Sequence, residues 1–135
     1  MDATAASSQT IRPRILIVED DAGIRRSMQL LLQGQGLDVR AYATGMPLLV
    51  DTASKDAACF IADYRLDGED GIAVLKALRD RGWNGPAILV TAFSSKALVR
   101  QAIEAGFTSV FEKPLREHAL VDTVLRLVHQ PDGAP

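Results

Sequence analysis

Four short apolar runs punctuate the chain: "RILIV" at 14–18, "CFIA" at 59–62, "AILVT" at 87–91 and "SVF" at 109–111. They carry β-branched or aromatic residues at strand-like lengths. Their near-continuous hydrophobicity predicts strands covered on both faces, as in a parallel sheet flanked by helices. A weaker alternating run, "LDVRAY" at 37–42, predicts a fifth strand. Between the runs the period lengthens. Ile24, Met28, Leu31 and Leu32 fall at i, i+4, i+7 and i+8, and Gly34 and Gly36 end that helix. Ile72, Leu75 and Leu78 form a stripe closed by "RGWNGP", where Gly and Pro force a turn. Leu98, Ala102 and Ala105 make a short helix ended by Gly106, and Leu120, Val124, Leu127 and Val128 form the last stripe. "TGMPLLVDTAS" (44–54) predicts one short helix, with Pro47 tolerated near its first turn. Strand and helix alternate five times, (βα)5. That order predicts an open, doubly wound five-stranded parallel α/β sheet with right-handed crossovers.

Length and composition narrow the function. The 135 residues suit one domain, 47% hydrophobic and 24% charged, long enough to bury a sizeable core. A net charge of −2 without a Lys/Arg-rich run gives this domain no grip of its own on a nucleic-acid backbone. No apolar run approaches a membrane span, and "MDATAASSQT" lacks the apolar core of a signal peptide, so the chain reads as cytoplasmic. Residues 1–12 and 130–135 are small, polar or Pro-containing and are expected to be a flexible N-terminal segment and a flexible tail or linker stub around a domain at 13–129. The single Cys59, beside Phe60 and Ile61, reads as a small buried hydrophobe. His118 and His129 lie in the last helical stripe and are expected to be exposed. Trp83 is expected to lid the helix packing, and Leu98, Val99 and Ile103 form either core or a partner-facing patch.

Chemistry enters where the apolar runs stop. In a parallel sheet all strands end along one edge, and ligands bind in the crevice there. The first strand runs into Glu19 and Asp20, with Asp21 next; the third ends at Asp63, the fourth at Thr91, and the fifth leads to Lys113. Three such carboxylates repel: at an effective dielectric of about 20, unit charges roughly 4 Å apart cost about 4 kcal/mol. Either their pKa values rise or a cation sits among them, and a few hard oxygen ligands suit Mg²⁺. Acids, a divalent ion, an ammonium and a hydroxyl around one carboxylate suit phosphoryl transfer to that carboxylate. Taken singly these residues have plainer uses. Asp63 would serve as a solvated turn acid, Glu19 and Asp20 as helix N-caps (a role Asp21 fills as well), Thr91 as a strand residue and Lys113 as a surface cation.

In that combination the chain resembles the response-regulator receiver domains of two-component signalling, the CheY-like family. "ILIVEDD" is similar to the family's first strand with its acidic pair, and "FIADYRLDGEDGI" to its phosphoacceptor strand and following loop. "ILVTA" carries its hydroxyl residue and "VFEKPL" its Lys-Pro pair. The resemblance covers roughly residues 13 to 129 and implies the flavodoxin-like strand order 2-1-3-4-5. It implies that Asp63 is the phosphoacceptor and that Asp20 ligates Mg²⁺ directly, with Glu19 acting through water and the Arg65 backbone carbonyl as a further ligand. Thr91 would hydrogen-bond the phosphoryl group, Lys113 would ion-pair with it, and the bond before Pro114 would be cis. A sensor histidine kinase, a phosphotransfer protein or a small phosphodonor would supply the group. An effector domain beyond the C-terminus and a phosphorylation-dependent homodimer belong to the same expectation.

The chain departs from the pattern at Val110, where the family often has Tyr or Phe three residues before the Lys; activation is then expected to move the loop "AFSSK" after Thr91 and the helix that follows. Arg65 and Phe93, each two residues past a site residue, are expected to obstruct an attacking water and lengthen the phosphoryl lifetime. An aspartyl-nucleophile phosphohydrolase of the haloacid-dehalogenase class is the first rival. Its nucleophile sits on the first strand with a second acid two residues on, whereas Arg65 follows Asp63 at that distance. The second rival, a flavodoxin-like cofactor binder or interaction module without phosphorylation, lacks a Gly-rich phosphate loop and leaves the acid, hydroxyl and ammonium set unused.

Overall fold

Both faces of the central sheet are apolar, and the elements arrange around that fact. The computed structural model describes residues 12–129, so the expected flexible segments at 1–12 and 130–135 lie, but for Arg12, outside the described residues. Numbering the strands of the main sheet alone, the order is β1 Arg14–Val18, α1 Ala22–Gln33, β2 Asp38–Tyr42, α2 Gly45–Val50, β3 Ala57–Asp63, α3 Gly71–Asp80, β4 Ala87–Thr91, α4 Lys96–Ala105, β5 Ser109–Glu112 and α5 Glu117–His129. The sheet runs β2-β1-β3-β4-β5 with every pairing parallel. This is the expected 2-1-3-4-5 order. A one-residue shift between Arg14 and Ile15 lets Ala58 bulge out of β3 before regular pairing resumes at Cys59.

Alternation along the strands divides the core in two. Leu16, Val18, Phe60, Ala62 and Leu89 pack with Leu48, Leu75, Leu78 and Ala102 on the face carrying α2, α3 and α4. Ile15, Ile17, Cys59, Ile61, Ile88 and Val90 pack with Met28, Leu32, Leu120 and Val124 under α1 and α5. Val110 joins the first face and Phe111 the second, as successive strand residues must. Cys59 is fully buried, and desolvation pushes its thiol up to about 12, which leaves it unreactive. Trp83, 7% exposed, is core rather than lid alone. It meets Phe60 edge to face, donates its indole N–H to the Ala57 carbonyl at 2.9 Å, and lies under the Arg79 guanidinium. Of the open trio, Leu98 is buried, Val99 half-buried and Ile103 exposed; His118 and His129 are exposed.

Two local readings change. The single helix expected over 44–54 is α2 followed by a separate 3-10 turn at Thr52–Asp56. Asp51 divides them. Its backbone is extended, one carboxylate oxygen accepts from the Ala53 N–H at 2.9 Å, and the other accepts the Tyr42 hydroxyl at 2.6 Å. The second change is a short hairpin between β3 and α3, where Arg65–Leu66 pairs antiparallel with Glu69–Asp70 around Asp67-Gly68. The D-G dipeptide was the available signal for it.

Candidate functional site

The carboxyl edge of the sheet gathers residues that the chain keeps far apart. β1 runs out at Glu19, whose N–H is still held by the Tyr42 carbonyl at 3.0 Å. Asp21 then caps α1 by accepting from the Ile24 N–H at 2.9 Å, which frees Glu19 and Asp20 from that duty. Asp63 is the last residue of β3, and Thr91 closes the neighbouring β4. The Lys113 N–H bonds the Thr91 carbonyl at 2.8 Å, and the Lys113–Pro114 peptide is cis.

Oxygens of Glu19, Asp20 and Asp63 all lie within 4.8 Å of one another. Glu19 and Asp63 are buried, at 1% and 7% exposure, while Asp20 faces solvent. Lys113 spans the pair, its Nζ 3.1 Å from Glu19 Oε1 and 3.1 Å from Asp63 Oδ2. Burial holds the Glu19 carboxyl above its ordinary range and the charge on Asp63 adds to this, against the opposing Asp21 N–H and Lys113. Burial also works against the Lys113 ammonium, but its bonds to Asp63 and Glu19 outweigh this and its pKa is raised. One ammonium thus pairs with two of the three clustered acids, and the donor set consists wholly of hard oxygens. That set fits a small divalent cation.

Thr91, 3% exposed, turns its hydroxyl to its own loop, donating to the Phe93 carbonyl at 3.2 Å and accepting from the Phe93 N–H at 3.3 Å. Phe93 itself stands 81% exposed, and Arg65 is also exposed. Val110 is half-buried against the α2–α4 face. Sequence reasoning missed three supporting contacts. Arg25 donates to the Glu19 carbonyl at 2.8 Å, Gly45 donates to Glu69 at 2.8 Å, and Gly71 packs so tightly that an added Cβ would lie 2.4 Å from the Asp63 carbonyl oxygen. The glycine in "DGI" was a visible cue to that close approach; the other two contacts had none.

Comparison with known proteins agrees with this architecture. The response regulator receiver domain model matches residues 15–125. The C4-dicarboxylate transport transcriptional regulatory protein DctR of Rhodobacter capsulatus is 32% identical over 119 residues, covering 87% of this chain and 60% of that protein. The transcriptional regulatory protein TdiR of Thauera aromatica is 30% identical over 110 residues, covering 82% of this chain and 48% of that protein. The chain therefore spans about half to three-fifths of these curated relatives. Among solved structures, a response regulator receiver protein from Pseudoalteromonas atlantica superposes with a TM-score of 0.79 at 28% identity, covering 91% of this chain and all of that one. A CheY-like receiver domain protein from Methanospirillum hungatei shares the fold with a TM-score of 0.81 at 21% identity, covering 93% of this chain and 100% of that one. Among the described residues no helix is long and apolar enough to cross a membrane. The chain belongs to the response regulator receiver domain family, the signalling switches of two-component systems.

Proposed function

We propose that this domain is a phosphorylation-operated switch in which Asp63 is the phosphoacceptor. The observation that carries the proposal is the convergence of three strand ends. A buried Asp63 carboxylate touches the Lys113 ammonium at 3.1 Å and shares a 4.8 Å cluster with Glu19 and Asp20. An oxygen of Asp63 attacks phosphorus as the bond to the donor's leaving group breaks. The electron pair departs with that group, and an aspartyl phosphate remains. Lys113 is placed to pair with a phosphoryl oxygen, since it already holds an oxygen of the acceptor. Thr91 supplies a hydroxyl to the phosphoryl group once it releases the Phe93 loop. Glu19, Asp20, Asp63 and the Arg65 backbone carbonyl would hold Mg²⁺, which when bound offsets charge on the phosphoryl oxygens.

The phosphoryl source is a sensor histidine kinase or phosphotransfer protein, with small phosphodonors as substitutes. The relatives are transcriptional regulators of greater length, and this supports an effector domain beyond the C-terminus as the output, in a cytoplasmic protein. Phosphorylation-dependent homodimerisation is a second route to output. Because Val110 lacks an aromatic ring, the conformational signal passes from Thr91 through residues 92–96 into α4, whose first turn is capped by Ser95. Incubation with acetyl phosphate and Mg²⁺, followed by intact mass, tests the assignment. One added phosphoryl group is expected, absent in Asp63→Asn and absent on chelation. Catalytic turnover of a phosphate ester would instead favour the hydrolase class.

A further inference from the structure

The hairpin between β3 and α3 is moored from an unexpected place. Thr44, the N-cap of α2, makes no side-chain capping bond. The first N–H of that helix, from Gly45, instead donates to Glu69 Oε2 at 2.8 Å, 24 residues along the chain. Glycine is what admits the carboxylate there, because a Cβ at 45 would sit 2.9 Å from Glu69 Oε1 and 2.8 Å from Val74 Cγ2. Glu69 belongs to the returning strand of the hairpin, paired with Leu66, and its neighbour Asp70 pairs with Arg65. Asp70 caps α3 by accepting from the Ala73 N–H at 2.8 Å. The returning strand is thus pinned to two helices, Glu69 to α2 and Asp70 to α3. The outgoing strand, which carries Arg65, is held by that ladder and by the burial of Leu66.

We propose that Glu69 is a positioning residue for the metal-binding edge of the site, acting through the hairpin on the backbone of Arg65. The proposal rests on the reading above that the Arg65 carbonyl is a ligand. Mg²⁺ tolerates little departure from octahedral geometry at about 2.1 Å, so a carbonyl on a hairpin moored to α3 alone, and no longer to α2, serves it less well. Without Glu69 the hairpin loses its side-chain hydrogen bond to α2, and among the described residues no other side chain of 65–70 bonds that helix.

Titration calorimetry of the whole chain with MgCl₂, without any phosphodonor, tests the proposal. Glu69→Ala is expected to weaken Mg²⁺ binding about tenfold, the low end of what outer-shell partners of metal ligands show. Glu69→Gln, whose amide oxygen still accepts from the Gly45 N–H, is expected to stay within about twofold of wild type. Hydrogen exchange at the amides of 65–70 should quicken in Glu69→Ala and not in Glu69→Gln. Wild-type affinity in Glu69→Ala overturns the proposal. So does an equal loss in Glu69→Gln, which would mark a through-space charge effect. Failure of the wild-type chain itself to bind Mg²⁺ would overturn the metal assignment beneath it, a distinct result.

Discussion

Replacing Lys113 with Met keeps an unbranched side chain of similar reach and removes the charge that holds Glu19 and Asp63 together. Each contact is 3.1 Å, which at an effective dielectric of about 20 is a gross attraction of about 5 kcal/mol. The observable loss is smaller, because burying the ammonium opposes it and because a stranded carboxyl can escape by taking up a proton. That escape sets a ceiling. From an ordinary glutamate value of 4.5, protonation at pH 7 costs about 3 kcal/mol, and at pH 5 less than about 1 kcal/mol. Lys113→Met should therefore destabilise the domain by up to about 3 kcal/mol at pH 7 and by less than about 1 kcal/mol at pH 5, with Mg²⁺ restoring part of the loss at neutral pH. The sign follows from linkage. The folded-state pKa of Glu19 lies above its unfolded value, so folding takes up a proton and stability falls as pH rises from 4.5; the variant steepens that fall. The raised Lys113 pKa leaves its own contribution intact below 10.5, so wild type loses nothing from that group between pH 5 and 7. Urea unfolding followed by the single Trp83, which is buried against Phe60, reads both values. A deficit of equal size at pH 5 and pH 7, or none at pH 7, would refute the coupling of these three groups.

Gly71→Ala should destabilise by about 1–3 kcal/mol in the same urea assay, since its methyl would sit 2.4 Å from the Asp63 carbonyl oxygen; it should also slow phosphorylation by displacing that residue. Cys59 should resist a thiol reagent in the folded protein and react once at unfolding, because its thiol is fully buried with a pKa pushed up to about 12. Shortening Arg65 and Phe93 together to Ala should speed loss of phosphate from the labelled protein severalfold, measured as decay of the phosphorylated mass. Val110→Ala should leave both phosphorylation and output in place, and loss of output alone would show that this position transmits the signal.

Much of the site was legible because parallel strands buried on both faces announce themselves as apolar runs, and each run here stops at a polar residue. Glu19, Asp63 and Thr91 could be named from that pattern alone, and Lys113 from the pattern with "KP" after it. The same reasoning offered Asp21, beside Glu19 and Asp20, as a cap of α1, and alternation along β5 sends Val110 and Phe111 to opposite faces, since capping and strand alternation are local rules. Local rules also mark the limit. The break of 44–54 at Asp51 depends on the Tyr42 hydroxyl arriving from β2, and no propensity within the segment encodes it. The hairpin at 65–70 was signalled by D-G, but its mooring to α2 was not.

What the sequence determined by itself is the alternation of strand and helix, hence the layers, the two-sided core and the identity of the residues at the strand ends. Tertiary structure decided what those residues do to one another. Only the 2-1-3-4-5 winding brings Glu19 and Lys113, 94 positions apart, to 3.1 Å, and only there do burial and the hydrogen bonds of the site pull against each other on their protons. Periodicity is a property of neighbours along the chain, whereas charge coupling depends on distance and dielectric, and both of those exist only once the sheet has closed around the site.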